Sequence, residues 1–328
     1  MFSYIIKRIL WIIPIMIGVI TIIFVITAIT PGDPVDQIVG INASQEVREA
    51  KRAELGLDKP VIERWANYLT NVMTKGDLGV SYSTGCSISE EIKTRIPVTL
   101  TLALVSVLIS LLIGVPLGIL SAIKQYTWVD NIILVFSMLA VSMPSFWLGL
   151  LLMMLFSVNL HWLPTTGIST ISGWILPIFV ASFACIAMFV RYTRTSLLEI
   201  MRQDYIGTAR AKGQKESVVI WKHMLRNALI PIVSSIGINI GNQLGGNITI
   251  EAVFALPGIG TYVTTAINNR NYASMEGGIL VIAIIFTIIN LIVDLAYVAV
   301  DPRLKTTLTE KKVSKKEIKK LLALEGAL

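Results

Sequence analysis

The sequence predicts an all-α integral membrane protein with six transmembrane helices, on three observations. Of its 328 residues 54% are hydrophobic and only 15% charged, with a mean hydropathy of +0.71, a balance that excludes a water-soluble globule of this length. Asp, Glu, Lys and Arg are absent from 9–32, 96–123, 131–190, 227–250 and 277–293, and about 20 mostly apolar residues span a bilayer. The stretch 131–190 is long enough for two spans, because Asn159, His161, Pro164, Thr165, Thr166 and Gly167 supply turn chemistry that divides it near 158–173.

Each element follows in chain order. Residues 1–30 hold the amino terminus and the first span. Lys7 and Arg8 precede it as in a signal peptide, but the uninterrupted run Ile9 to Ile29 exceeds the usual apolar region of about 7–15 residues and no small-x-small cleavage site follows. Residues 31–95 form an extracytoplasmic region between the first two spans. Ser44 is placed to cap a helix through EVREAKRAEL that Gly56 ends. A second helix follows Pro60, where Val61, Trp65, Leu69 and Val72 recur on one apolar face; that face either packs the region onto the bundle or offers a docking surface. Residues 96–303 form the core with spans two to six, and 304–328 a basic cytoplasmic tail. Cys86 and Cys185 fall at different depths, too far apart to pair. His161 and His223 lie on opposite sides of the membrane, so no metal cluster is expected.

Positive residues near span ends resist translocation, which orients the chain. With the amino terminus inside, 19 of the 28 Lys and Arg lie on the cytoplasmic side and nine outside. Eight of those nine fall in 31–95 among ten acids, and long loops translocate with little regard to charge. Arg270 alone occupies a short outer loop. Both termini are therefore expected in the cytoplasm of a multi-pass cell-membrane protein. The net charge of +7 is an orientation signal in contact with membrane lipid; no basic surface interleaved with aromatics points to nucleic acid.

The segment between the fourth and fifth spans, 194–227, carries seven Lys and Arg. Most of the run DYIGTARAKGQKESVVIWKHMLRNALIPIV at 204–233, basic and helix-favouring, falls within it. The words TARAKG at 208–213 and HMLRNALIP at 223–231 closely resemble the cytoplasmic coupling loop of binding-protein-dependent ABC importer permeases, in the oligopeptide/dipeptide/nickel branch, first (B-type) subunit. GDLGVSYSTGCSISEEIKTRIPVTLTLAL at 76–104, SMPSFWLGLLL at 142–152, HWLPTTG at 161–167, EAVFALPGIG at 251–260 and NLIVDLAYVAVDPR at 290–303 resemble the same family in order and spacing, so the likeness runs from Tyr4 to Arg303. It implies the ABC importer type I permease fold and a bacterial cytoplasmic membrane. It also implies partners: a second, related permease subunit in a heterodimer, two ATPase subunits and an extracytoplasmic substrate-binding protein that meets the outer region. In the family the loop docks onto an ATPase, which implicates Asp204, Gly207, Thr208, Ala209, Arg210, Ala211, Lys212, Gly213, His223, Arg226 and Asn227, with Thr208, Ala209 and Arg210 in the docking helix.

One departure narrows the likeness. The general importer pattern places a proline thirteen residues after its glycine; here that position is Arg226 and the proline is Pro231. At the EAA positions stand Gly207, Thr208 and Ala209, so only the last is identical. The oligopeptide/nickel branch shares this spacing. Gly213 is expected to turn the chain sharply, since glycine readily takes positive φ.

Enzymatic chemistry is not written in the chain. There is no GxxxxGK[ST] phosphate loop and no Gly-Lys pair, so the protein is expected to be a non-catalytic subunit without a cofactor of its own, ATP and Mg being bound by the partner ATPases. An intramembrane protease would need a nucleophile with a base, paired aspartates or an HExxH site, whereas the spans offer one carboxylate, Asp294, near the inner end of the sixth. Asp294 is read as a structural partner of the cytoplasmic basic cluster in preference to a proton-coupling site. A self-contained secondary transporter is the other function class, but such proteins commonly show internal repeats, and none is visible. The resemblance implies peptides as substrate, with nickel or a metal chelate as competitor; the spans lack the His, Cys and carboxylate set of a bare-metal site.

The fifth span has a face of its own. At about 100° per residue, Asn239, Asn242, Gln243 and Asn247 form one polar stripe, expected to line the translocation path or to bond neighbouring helices. Gly237, Gly241 and Gly245 fall opposite and are expected to let another helix approach closely.

Overall fold

In a bilayer every backbone N–H and C=O must be satisfied within the chain, so apolar runs of this length fold as helices. A computed structural model of the protein describes residues 2–40 and 42–300; Arg303 and the tail 304–328 lie outside them. The described residues hold fourteen α-helices and, apart from an isolated bridge between Val80 and Ser87, no strand pairing. They are α1 (Phe2–Ile29), α2 (Pro34–Val39), α3 (Gln45–Glu54), α4 (Val61–Lys75), α5 (Ile88–Ile123), α6 (Trp128–Ser142), α7 (Ser145–Leu152), α8 (Ser172–Met201), α9 (Asp204–Ala211), α10 (Glu216–Val218), α11 (Leu225–Gly246), α12 (Ile248–Val253), α13 (Ile259–Asn268) and α14 (Tyr272–Val300).

α1, α5, α8 and α14 are each long and apolar enough to cross a membrane, and two bent helix pairs bring the number to six. The third span departs from a single straight helix. α6 and α7 meet at a 99° bend, because Met143 takes an extended conformation (φ −80°, ψ 122°) before Pro144, as a residue preceding proline does. The fifth span begins inside the segment read as a loop: α10 continues through a π-helical stretch, Val219–Met224, into α11.

The centre of the bundle is the pairing of α5 with α8, built on small residues that let backbones approach. A Cβ on Gly114 would stand 2.8 Å from the Ile186 carbonyl oxygen, and one on Gly118 2.6 Å from the Thr193 side chain. One turn apart on the same face, buried Ser110 donates to the Ser182 carbonyl (3.1 Å) and Ser182 to the Ser106 carbonyl (3.2 Å).

The region 31–95 forms one end of the bundle. Ser44 Oγ accepts from the Val47 N–H and Gly56 turns the chain at φ 66° after α3, as the sequence indicates. In α4, Trp65, Leu69 and buried Val72 pack against Ile20 and Phe24 of α1 and Ile88 and Ile92 of α5, and Trp65 Nε1 donates to Thr21 Oγ1 at 3.1 Å. The apolar face of α4 therefore fastens the region to the bundle. Two features extend past the sequence reading: the short helix α2, capped by Asp33, and the start of α5 at Ile88 rather than near residue 96.

Candidate functional site

At the opposite end, α9 is set by a two-position apolar contact. Ile206 and Ala209, three apart on one helix face, are buried among Ile119 and Ala122 of α5, Leu197 of α8, and Val219, Met224 and Ala228. That arrangement leaves Asp204, Gly207, Thr208, Arg210, Ala211, Lys212 and Gly213 exposed. Asp204 in the first turn complements the positive end of the helix. Gly213 stands at φ 73° with no heavy atom within 4 Å of where a Cβ would be, so the turn itself demands glycine and no neighbour does. Arg210 grips Glu216 with two guanidinium bonds, 3.1 and 2.6 Å, across that turn.

The rest of the segment ties α9 to the fifth span. Asn227 Nδ2 donates to the Tyr205 hydroxyl (3.0 Å) and to the His223 carbonyl (2.9 Å). Arg226 is exposed, and His223 is partly buried with its Nε2 unpartnered. Of the residues assigned to docking, Ala209 faces its own protein, while Thr208 and Arg210 face out.

The polar stripe of α11 divides. Buried Asn239 receives the Cys185 thiol (3.6 Å) and donates to the Ser235 carbonyl (2.8 Å), and Gln243 donates to the Ala181 carbonyl (2.8 Å), so both serve the contact with α8. Asn247 is buried with both amide atoms unpartnered. Asn242 is exposed, and Ile238 and Gly245 share its open face at helical spacing. Gly237 and Gly241 pack on α14: a Cβ would meet Val293 at 2.6 Å and Phe286 at 2.4 Å. Gly245 meets nothing within 4 Å.

Carboxylates are where the sequence reading needs correction. Asp294 reads from sequence as the single carboxylate of the spans, but Asp130, Glu251 and Glu276 likewise stand one residue outside an uncharged run, and these three are buried where Asp294 is only partly so. Asp130 accepts both arms of the Arg194 guanidinium (2.9 and 2.8 Å), the Tyr126 N–H (3.0 Å) and the Ser121 hydroxyl. That cluster joins α5, α6 and α8 beside α9. At the other end Glu251 accepts from Thr99 Oγ1 (2.6 Å) and the Thr261 N–H (2.9 Å), while Thr99 Oγ1 accepts from the Ile259 N–H (2.9 Å). Burial pushes the Glu251 carboxyl above its ordinary value, against the pull of these donors. A Cβ on Gly258 or Gly260 would collide with that carboxylate, which is why the LPGIG turn carries glycine there. The signal for both clusters was an acid at the edge of an apolar run, which one-dimensional reading assigns to water.

This fold, a broken-helix bundle with an exposed short helix between its fourth and fifth spans, is that of an ABC importer permease. Residues 1–103 match the family model "Binding-prot-dependent transport system membrane comp, N-term" and residues 114–306 match "Binding-protein-dependent transport system inner membrane component". The chain belongs to that family, and is a non-catalytic, multi-pass inner-membrane subunit. It is 39% identical over 305 residues to the glutathione transport system permease protein GsiC of Pectobacterium atrosepticum, covering 93% of this chain and 99% of that relative. To the protein of the same name from Salmonella typhi it is 37% identical over the same shares. Among solved structures it resembles the MetNI methionine ABC transporter in inward facing conformations, with a TM-score of 0.56 at 21% identity over 65% of this chain and 97% of that one, a likeness of fold.

Proposed function

We propose that this chain is one of two related permease subunits forming the translocation pathway of an ATP-driven importer of short peptides. The observation that carries the substrate class is the end-to-end likeness to relatives named as glutathione transport permeases, glutathione being a tripeptide. The chain has both termini in the cytoplasm, α9 on that side and the 31–95 region outside, in keeping with the Lys/Arg asymmetry. It works in a heterodimer with a second permease subunit, two ATPases that bind ATP and Mg, and an extracytoplasmic binding protein; no cofactor belongs to this chain.

The exposed face of α9, with Asp204, Gly207, Thr208 and Arg210, is the ATPase contact. Its buried face transmits the stroke: Ile206 and Ala209 touch the ends of α5, α8 and the fifth span together, so a push on α9 reaches three spans through close-packed side chains. The path runs along the open face of α11 that Ile238, Asn242 and Gly245 present. Uncharged amides bond peptide groups without holding either sign of charge tightly.

Uptake of labelled glutathione, dipeptides and nickel by cells lacking the gene, and by the same cells with it restored, tests the substrate class. Restoration of peptide uptake supports the reading; restoration of nickel uptake with no peptide effect overturns it.

A further inference from the structure

A groove of about 310 Å³ lies between α1 and the start of α14, at the end of the bundle that carries the 31–95 region. Ile23 and Ile26 from α1 and Met275 and Ile279 from α14 make its walls apolar. It runs from the exit of α1 to Ile23, seven residues down the helix from Thr30, or about 10 Å. Its mouth is cationic. Arg270 stands there with φ 52°, its guanidinium lying over Gly32, itself at φ 111°, so closely that a Cβ on Gly32 would overlap it. The guanidinium thus lies close against the Gly32 backbone, and among the described residues no carboxylate forms an ion pair with it. Tyr272 lines the same space; it is 8% exposed, and its hydroxyl is buried beneath the surface with no partner among the described residues. A buried hydroxyl without a partner costs about 1–3 kcal/mol.

We propose that this groove is a specific site for one anionic phospholipid, its phosphodiester held by Arg270 and the Tyr272 hydroxyl and one acyl chain lying between α1 and α14. The vertical order fits a lipid: a guanidinium suited to phosphate and a tyrosine at headgroup level, then a wall beneath that is apolar apart from Thr27, whose hydroxyl donates to the Phe24 carbonyl. Bound there, the lipid wedges the first span against the last and fixes the base from which the 31–95 region rises.

The complete transporter, purified in detergent and exposed to phosphatidylglycerol with excess phosphatidylethanolamine, is weighed by native mass spectrometry. The wild type retains one phosphatidylglycerol per copy of this chain. Arg270→Gln lowers its affinity roughly tenfold, the loss of a charge-assisted bond, and Tyr272→Phe roughly fivefold. Ile26→Trp fills the groove and removes the lipid while leaving Arg270 in place, a control independent of the charge. Equal retention by all four proteins overturns the proposal. So does displacement by glycerol phosphate alone, which marks an anion site without an acyl chain, and so does cross-linking of Ile267→Cys to the second permease subunit, which puts protein over the groove.

Discussion

Gly213 is the residue at which sequence and geometry agree most directly, because a φ of 73° in open surroundings isolates backbone strain from packing. An L-residue there costs about 1–2 kcal/mol, least for Asn. Gly213→Val is expected to lower uptake and ATPase stimulation while the complex still reaches the membrane, with Gly213→Asn near normal; normal coupling in the Val variant contradicts the ATPase assignment of α9. Asp130 behaves differently. Its removal leaves the partly buried Arg194 without its partner and the buried Ser121 hydroxyl without its acceptor, so Asp130→Ala is expected to destabilise by about 1–3 kcal/mol, read as a lowered melting temperature of the purified complex. Glu251 adds a pH dependence. Since burial raises its folded value above the ordinary 4.5, the stability it contributes is fully present below that value and declines as pH rises through the raised one. Melting curves of the wild type should fall relative to Glu251→Gln across that window; parallel curves would show that the carboxyl is not shifted.

At the scale of elements, α11 has three faces with three jobs. Asn239 accepts from Cys185 and Gln243 donates to Ala181, both in α8, Gly237 and Gly241 admit α14, and Ile238, Asn242 and Gly245 stay open. The glycine spacing was legible in sequence for two of the three positions, since helical periodicity fixes which residues share a side. Which neighbour each side meets was not legible, and Gly245 proves open for that reason. Asn242→Leu is expected to reduce transport several-fold with assembly and ATPase docking intact, because its exposed side chain bonds no neighbour among the described residues. Asn239→Leu, by contrast, should weaken the α8–α11 contact and lower stability. Transport at the normal rate in the Asn242 variant removes that face from the path.

For the whole molecule the testable quantity is orientation. Cys86 is exposed in the 31–95 region and Cys185 is buried in α8. A membrane-impermeant thiol reagent should label Cys86 in intact cells whose outer barrier is opened, with Cys185→Ser as background. Labelling only after lysis would reverse the topology, placing α9 outside and away from any ATPase.

The sequence by itself determined that the chain spans a membrane as helices, where the spans lie, and which segment between them carries the coupling words. Composition, hydrophobic run length and capping act locally, so they are written in neighbouring residues. Only the tertiary structure decided the 99° break of the third span, the inward turn of Ala209, and the burial of Asp130, Glu251 and Glu276. Whether an acid at the edge of an apolar run reaches water or a guanidinium depends on partners distant in sequence: Arg194 lies 64 residues from Asp130, and Thr99 lies 152 from Glu251. No local pattern encodes a contact of that range.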